Sequence, residues 1–127
     1  MNYNVVVVDD DDIILFLHRK ILQSVALSEE SKSFNSAQKF LDYIASIKGD
    51  TRPVLLFLDV NMPVMDGWGL LDVIHEEDFC HPIEVIMVTS SVDQEDKDKA
   101  AQYAKIVYFV EKPFSKSILA NLNIDFD

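Results

Sequence analysis

The sequence predicts an α/β fold, a doubly wound five-stranded parallel sheet with five helices, on three observations. Short β-branched runs recur at four places and are continuous rather than alternating, as parallel strands covered on both faces require. Segments with apolar residues three or four apart lie between them, the spacing of one helix face. Strand and helix patterns then alternate along the whole chain. Such alternation builds a parallel sheet with right-handed crossovers and helices on both sides.

In chain order, Asn4–Val8 is too short and too β-branched for a helix and reads as a buried strand. Ile14, Leu17, Ile21 and Val25 mark the first helix. Ser31–Phe34 is polar and reads as a sheet-edge strand. Ala37, Phe40, Leu41 and Ile44 mark the second helix, and Val54–Leu58 the third strand. Trp68, Leu71 and Ile74 carry the third helix after the Asp66-Gly67 turn. Glu84–Val88 is the fourth strand. Ser91 with Gln94 resembles a capping box opening the fourth helix, and Asp93, Glu95 and Asp96 sit at its positive end. Ala100, Ala101 and Ala104 dominate that helix's expected inner face, which is thin packing for a movable element. Ile106–Val110 is the fifth strand, and a short helix runs from about Ser115 to Leu122. Trp68 and Phe34 are expected in the core, and His18 reads as an ordinary amphipathic-helix residue.

Length and charge bound the function. At 127 residues and 14.5 kDa, the chain fits one domain that can bury roughly 65–70% of its unfolded surface. Twenty-two acidic against 11 basic residues give a net charge of −11, which disfavours nucleic acid and anionic membrane. The single cysteine, Cys80, excludes an internal disulfide. No apolar run approaches a membrane span and acidic residues begin at Asp9, so a cytoplasmic protein is expected.

Ligands in such sheets bind at the carboxyl ends of the strands, where strand order reverses. There the expected strands run into Asp9-Asp10, Asp59, Thr89, and Glu111 followed by Lys112-Pro113. Carboxylates brought to about 5 Å at an effective dielectric near 20 repel by about 3 kcal/mol per pair, so the cluster needs a cation or a proton. Oxygen donors of this kind suit Mg²⁺ or another hard divalent ion. Asp59 stands apart from the pair. A carboxylate beside such an ion can attack phosphorus and form an acyl phosphate.

The ordered motifs VVVVDDDD, FLDVNMPVMDG, VTSS and VEKPF resemble the response-regulator receiver domains (CheY-like) of two-component phosphorelay signalling, over Val5 to about Leu122. The resemblance implies strand order 2-1-3-4-5 and a stand-alone receiver over residues 1–127, without an output domain. It also implies that Asp59 is the phosphoacceptor, taking a phosphoryl group from a histidine kinase or histidine phosphotransfer protein. Asp9 and Asp10 match the acidic metal pair, and Asn61 the residue whose backbone carbonyl completes the Mg²⁺ site with Asp59. Thr89 matches the hydroxyl that contacts the phosphoryl group, and Lys112 the lysine that pairs with it. A cis bond before Pro113 is usual in the family. Phe109 falls where the family places an aromatic switch residue. It keeps the packing change of the more frequent tyrosine and lacks the phenol hydrogen bond. Phosphorylation is then expected to draw in Thr89 and Phe109 and to reshape the face of the fourth helix, fifth strand and fifth helix. That face would be read by a downstream protein, with the receiver a monomer or a phosphorylation-dependent dimer. Asn61 and Ser91 are expected to tune water access to the acyl phosphate.

Other readings compete with these assignments. Asp11 and Asp12 extend the acidic run, but the register of Val5–Val8 favours Asp9 and Asp10 as ligands, leaving the other two to stabilise the first helical turn. Cys80, His81 and His75 lack a fourth ligand and a tetrahedral spacing, so a loop is favoured over a transition-metal site. A phosphohydrolase with an aspartate nucleophile needs a general acid, commonly two residues on, and Asn61 there has no proton to give. A non-phosphorylated interaction module would have no use for the retained Asp9, Asp10, Asp59, Thr89 and Lys112.

Overall fold

A computed structural model describes residues 3–25, 31–77, 82–90 and 93–122. Ten elements alternate: β1 (Asn4–Val8), α1 (Asp12–Val25), β2 (Lys32–Phe34), α2 (Ala37–Ser46), β3 (Val54–Asp59), α3 (Gly67–Glu76), β4 (Ile83–Thr89), α4 (Gln94–Ala100), β5 (Ile106–Glu111) and α5 (Lys116–Asn121). All strand pairs are parallel and the sheet order is β2-β1-β3-β4-β5. This is the expected fold and order. The chain reverses direction of travel across the sheet between β1 and β3, which marks the rim where a ligand crevice forms.

The continuous apolar runs are explained by two cores. Val5 and Val7, Leu55 and Phe57, and Ile86 and Val88 face α1 and α5, packing with Leu15, Leu22 and Leu119. The alternate residues Val6 and Val8, Leu56 and Leu58, and Val85 and Met87 face α2, α3 and α4. A strand with both faces covered has no position where a polar side chain reaches water. β5 departs from this pattern. Its register against β4 slips between Val85 and Ile86, so Ile106 pairs with Val85 and Tyr108 with Ile86. The extra residue, Val107, and Tyr108 are exposed, while Phe109 is half-buried against the α4-side core.

Several helices start where side chains supply the cap. Ser36, Asp66 and Ser115 accept from Lys39 N, Gly69 N and Ile118 N. Asp11 Oδ1 accepts from Ile13 N and Ile14 N at the start of α1. Asp93 caps α4 by accepting from Asp96 N. The Ser91 of the expected capping box lies outside the described residues, as do Cys80 and His81.

The structure corrects three details. The buried stripe of α1 is Leu15, His18 and Leu22, and Leu17 is exposed. Five consecutive apolar residues, Ile13–Leu17, leave the helical phase ambiguous, and docking on the sheet selects the frame. The α4 helix ends at Ala100, its one buried residue, so Ala101 and Ala104 are exposed rather than inward. Trp68 is buried as expected, whereas Phe34 at the edge strand is only half-buried, tilted against Tyr43.

Candidate functional site

The carboxyl ends of β1, β3 and β4 and the residue after β5 meet on one rim. Asp9 follows β1 directly, and Asp59 and Thr89 are the last residues of β3 and β4. All three are buried, with Asp59 and Thr89 only 1% exposed. Asp10 is exposed beside them, and one carboxylate oxygen from each of Asp9, Asp10 and Asp59 lies within 4.8 Å of the others.

Lys112 is the counter-charge. Its Nζ donates to Asp9 Oδ2 at 3.1 Å and to Asp59 Oδ1 at 3.2 Å, across 103 and 53 residues of sequence. Its backbone N–H donates to Thr89 O at 2.7 Å, which fixes the end of β5 on the end of β4. The Lys112–Pro113 bond is cis. Asp9 Oδ1 accepts from Asp11 N, and Asn61 N donates to Asp59 Oδ1 at 3.4 Å. Asp59 Oδ2 is buried without a hydrogen-bond partner.

Burial dominates the electrostatics. It pushes the Asp59 carboxyl up from 3.8 to about 6, the Asp9 charge pushes the same way, and Lys112 opposes both. Asp9 is also raised, by burial first, against its hydrogen bonds from Asp11 N and Lys112. At Lys112 burial works against the ammonium, but the bond to Asp9 and the field of Asp59 more than offset it, so its pKa rises.

The donor set fits a hard divalent cation. It consists of oxygen alone, three of the donors are carboxylates within reach of one point, and one buried oxygen has no proton donor of its own. Among the described residues this is where three metal-ligating side chains converge. His75 is exposed on α3 and belongs to no such group among the described residues.

Two features of the site have no strong signature in the sequence. Gly67 is one. An added Cβ would lie 2.4 Å from the Asp59 carbonyl oxygen and 3.0 Å from Val60 Cα, and Gly67 N donates to Val60 O at 2.9 Å. The first turn of α3 is therefore pressed onto the backbone of Asp59, an approach only glycine permits. The aspartate-glycine turn was the available signal. The other is His18, 1% exposed, stacked on Phe114 at 3.8 Å, with Nε2 unpartnered. Burial, then the nearby Lys112 charge, lowers its pKa to about 4, so its ring is neutral. Phe109 shares a sheet face with Thr89, on the α4 side.

The five-stranded doubly wound sheet carries an acidic notch at its switch point, with a lysine closing it. The family model for the response regulator receiver domain matches residues 5–122. The chain is 30% identical to a two-component response regulator of Arabidopsis thaliana, over 90% of this chain and 76% of that one. It is 32% identical to the chemotaxis protein CheY of Halobacterium salinarum, over 91% and 89%. A two-component response regulator structure from Cytophaga hutchinsonii superposes with TM-score 0.83 at 30% identity, covering 93% of this chain and 91% of that one. The chain belongs to the response-regulator receiver domains of two-component signalling. No helix among the described residues is long and apolar enough to cross a membrane.

Proposed function

We propose that this receiver accepts a phosphoryl group on Asp59 from a phosphohistidine of a kinase or phosphotransfer protein. The observation that carries the reading is the buried Asp59 Oδ2, left without a partner while Oδ1 is held by Lys112. That oxygen is free to form a bond to phosphorus in line with the departing imidazole. The P–N bond to the donor histidine breaks, its electron pair returns to the ring, and an acyl phosphate remains on Asp59. Lys112 holds Asp59 before the reaction and is placed to pair with a phosphoryl oxygen after it. Thr89, at the end of the neighbouring strand, supplies a hydroxyl to another. Asp9 and Asp10, with Asp59 and the Asn61 carbonyl, would hold a divalent ion such as Mg²⁺, which supplies positive charge opposite the phosphoryl oxygens. Phe109, half-buried on the face it shares with Thr89, is the switch side chain, turning inward as Thr89 is drawn toward the phosphoryl group. Asn61 and Ser91 set water access to the acyl phosphate, and the α4–β5–α5 face carries the signal to a downstream protein.

The test is acetyl phosphate with Mg²⁺, followed by intact mass. Wild type is expected to gain one phosphate adduct that Asp59→Asn and EDTA each abolish. An undiminished adduct on Asp59→Asn refutes the assignment.

A further inference from the structure

The acceptor's backbone is tied to α4 by a second route that runs through α3. Gly67 sits against Asp59 O and donates to Val60 O. Trp68 follows it directly and is buried in the α4-side core. The Lys99 ammonium lies 4.8 Å over the Trp68 ring, and the Tyr103 ring is tilted against it at 5.7 Å. Tyr103 also donates its hydroxyl to Asp72 Oδ1 at 2.8 Å. Trp68 and Asp72 are four residues apart on α3, so they share a helix face. Lys99 is in the last turn of α4 and Tyr103 lies just beyond its end, with Tyr103 N bonded to Ala100 O. Two side chains of α3 thus hold Lys99 and Tyr103 at the end of α4.

This grip matters because α4 has little else to hold it. Ala100 is its one buried residue, and a methyl group makes few core contacts. A cation over an indole face and an aromatic pair are directional attachments, and they depend on where Trp68 stands. A small displacement of the Asp59 backbone must be passed to Gly67, since no gap separates them, and then to the adjoining Trp68.

We propose that Trp68 is a coupling residue through which α3 carries the state of Asp59 to α4, in addition to any route through Thr89. This rests on the acceptor reading above, and the experiment separates the two. Hydrogen exchange of residues 94–104 is measured by mass spectrometry with and without acetyl phosphate and Mg²⁺, while intact mass gives the phosphorylated fraction. In wild type, phosphorylation is expected to change exchange across this segment several-fold. In Trp68→Leu at matched phosphorylated fraction, most of that change is expected to vanish, while β3 and β4 peptides behave as in wild type. Should Trp68→Leu fold poorly, Tyr103→Phe, which removes only the hydroxyl bonded to Asp72, is expected to reduce the response by about half at unchanged adduct yield. Equal adduct with the full wild-type response in both variants overturns the coupling and leaves the acceptor reading standing. Adduct on wild type without any response at 94–104 also overturns it. No adduct on wild type overturns the acceptor reading and, with it, the coupling.

Discussion

Asp59→Asn is expected to stabilise this protein, by an amount its surroundings allow to be worked out. Its carboxyl is 1% exposed, faces Asp9, and has one oxygen without a donor. In the folded state its pKa is raised from 3.8 to about 6, so the native protein binds this proton more tightly than the unfolded chain. Stability from such a group is fully present below pH 3.8 and is lost as the pH rises through 6. At pH 7.5 the ionised group therefore destabilises the fold by up to about 3 kcal/mol, and at pH 5 by about half of that. Asparagine is close in shape to the protonated acid, and its Oδ1 can still accept from Lys112. The variant should exceed wild type by about 2–3 kcal/mol at pH 7.5 in EDTA, with the gap narrowing toward pH 5. The repulsion between Asp59 and Asp9 is already contained in that figure. Urea denaturation followed by far-UV circular dichroism at both pH values measures it. A variant no more stable than wild type at pH 7.5, or a gap that fails to narrow, refutes the account of Asp59 as a desolvated charge.

The other expectations concern metal, backbone and a second titration. Mg²⁺ at a hundredfold excess over its Kd should stabilise wild type by about 2.7 kcal/mol, a Tm rise of about 10 °C. Asp9→Asn should lose most of that rise in a thermal scan, and an equal rise in both proteins would remove Asp9 from the site. Gly67→Ala forces a methyl to 2.4 Å from Asp59 O, so a loss of about 1–3 kcal/mol and slower adduct formation are expected; stopped time points by intact mass show whether the rate is unaffected. Val64 has φ 69° and is fully exposed, a conformation that β-branched residues resist. Val64→Asn should therefore gain about 1 kcal/mol in urea, and no gain would show the strain to be absent. His18 is depressed to about 4, so its contribution is present above pH 6.5 and is lost as the pH falls toward 4. Lowering the pH from 7.5 to 5 should remove about 2 kcal/mol through His18, opposite in sign to Asp59, and His18→Leu should abolish that component.

The fold was legible because a sheet buried on both sides leaves a mark that needs no partner to be seen. Five residues such as Val5, Val6, Val7, Val8 and the preceding Asn4 can be packed continuously only as a central strand. The acidic pair, Asp59, Thr89 and Lys112 were findable because each directly ends or follows a strand, and parallel strands bring all their ends to one rim. What escaped the sequence depends on phase and proximity. Ile13–Leu17 is apolar throughout, so no periodicity says that Leu15 and His18 point inward while Phe16 and Leu17 do not. The buried His18 is set by the position of Phe114, ninety-six residues away in the chain and in stacking contact in the fold. The bulge at Val107 shifts which β5 residues face the core, and a slip of one residue has no compositional trace. Likewise the shortness of α4 lies in the way Ala100 ends its contact with the sheet, where three alanines alone suggested a longer inner face.

Charge arithmetic connects the instability of the site to its use. Three carboxylates and one ammonium converge, leaving two negative charges in a place where two of the acids are almost fully buried. The core on either side of β1 and β3 holds those ends together against that repulsion, so the strain is carried by the fold as a whole. Lys112 spreads one positive charge over two acids, and neither is fully compensated, as the raised Asp9 and Asp59 both register. On the proposed function, a divalent cation would match the missing charge, and an incoming phosphoryl group would then add negative charge that draws on the same lysine. Lys112 cannot hold Asp9, Asp59 and a phosphoryl oxygen equally well from one Nζ. Its backbone is bonded to Thr89 and its chain continues directly into α5, so a change of partner at Nζ pulls on the segment that joins β5 to α5. On that reading, the same imbalance that weakens the resting protein would make a change at one carboxylate mechanically consequential elsewhere.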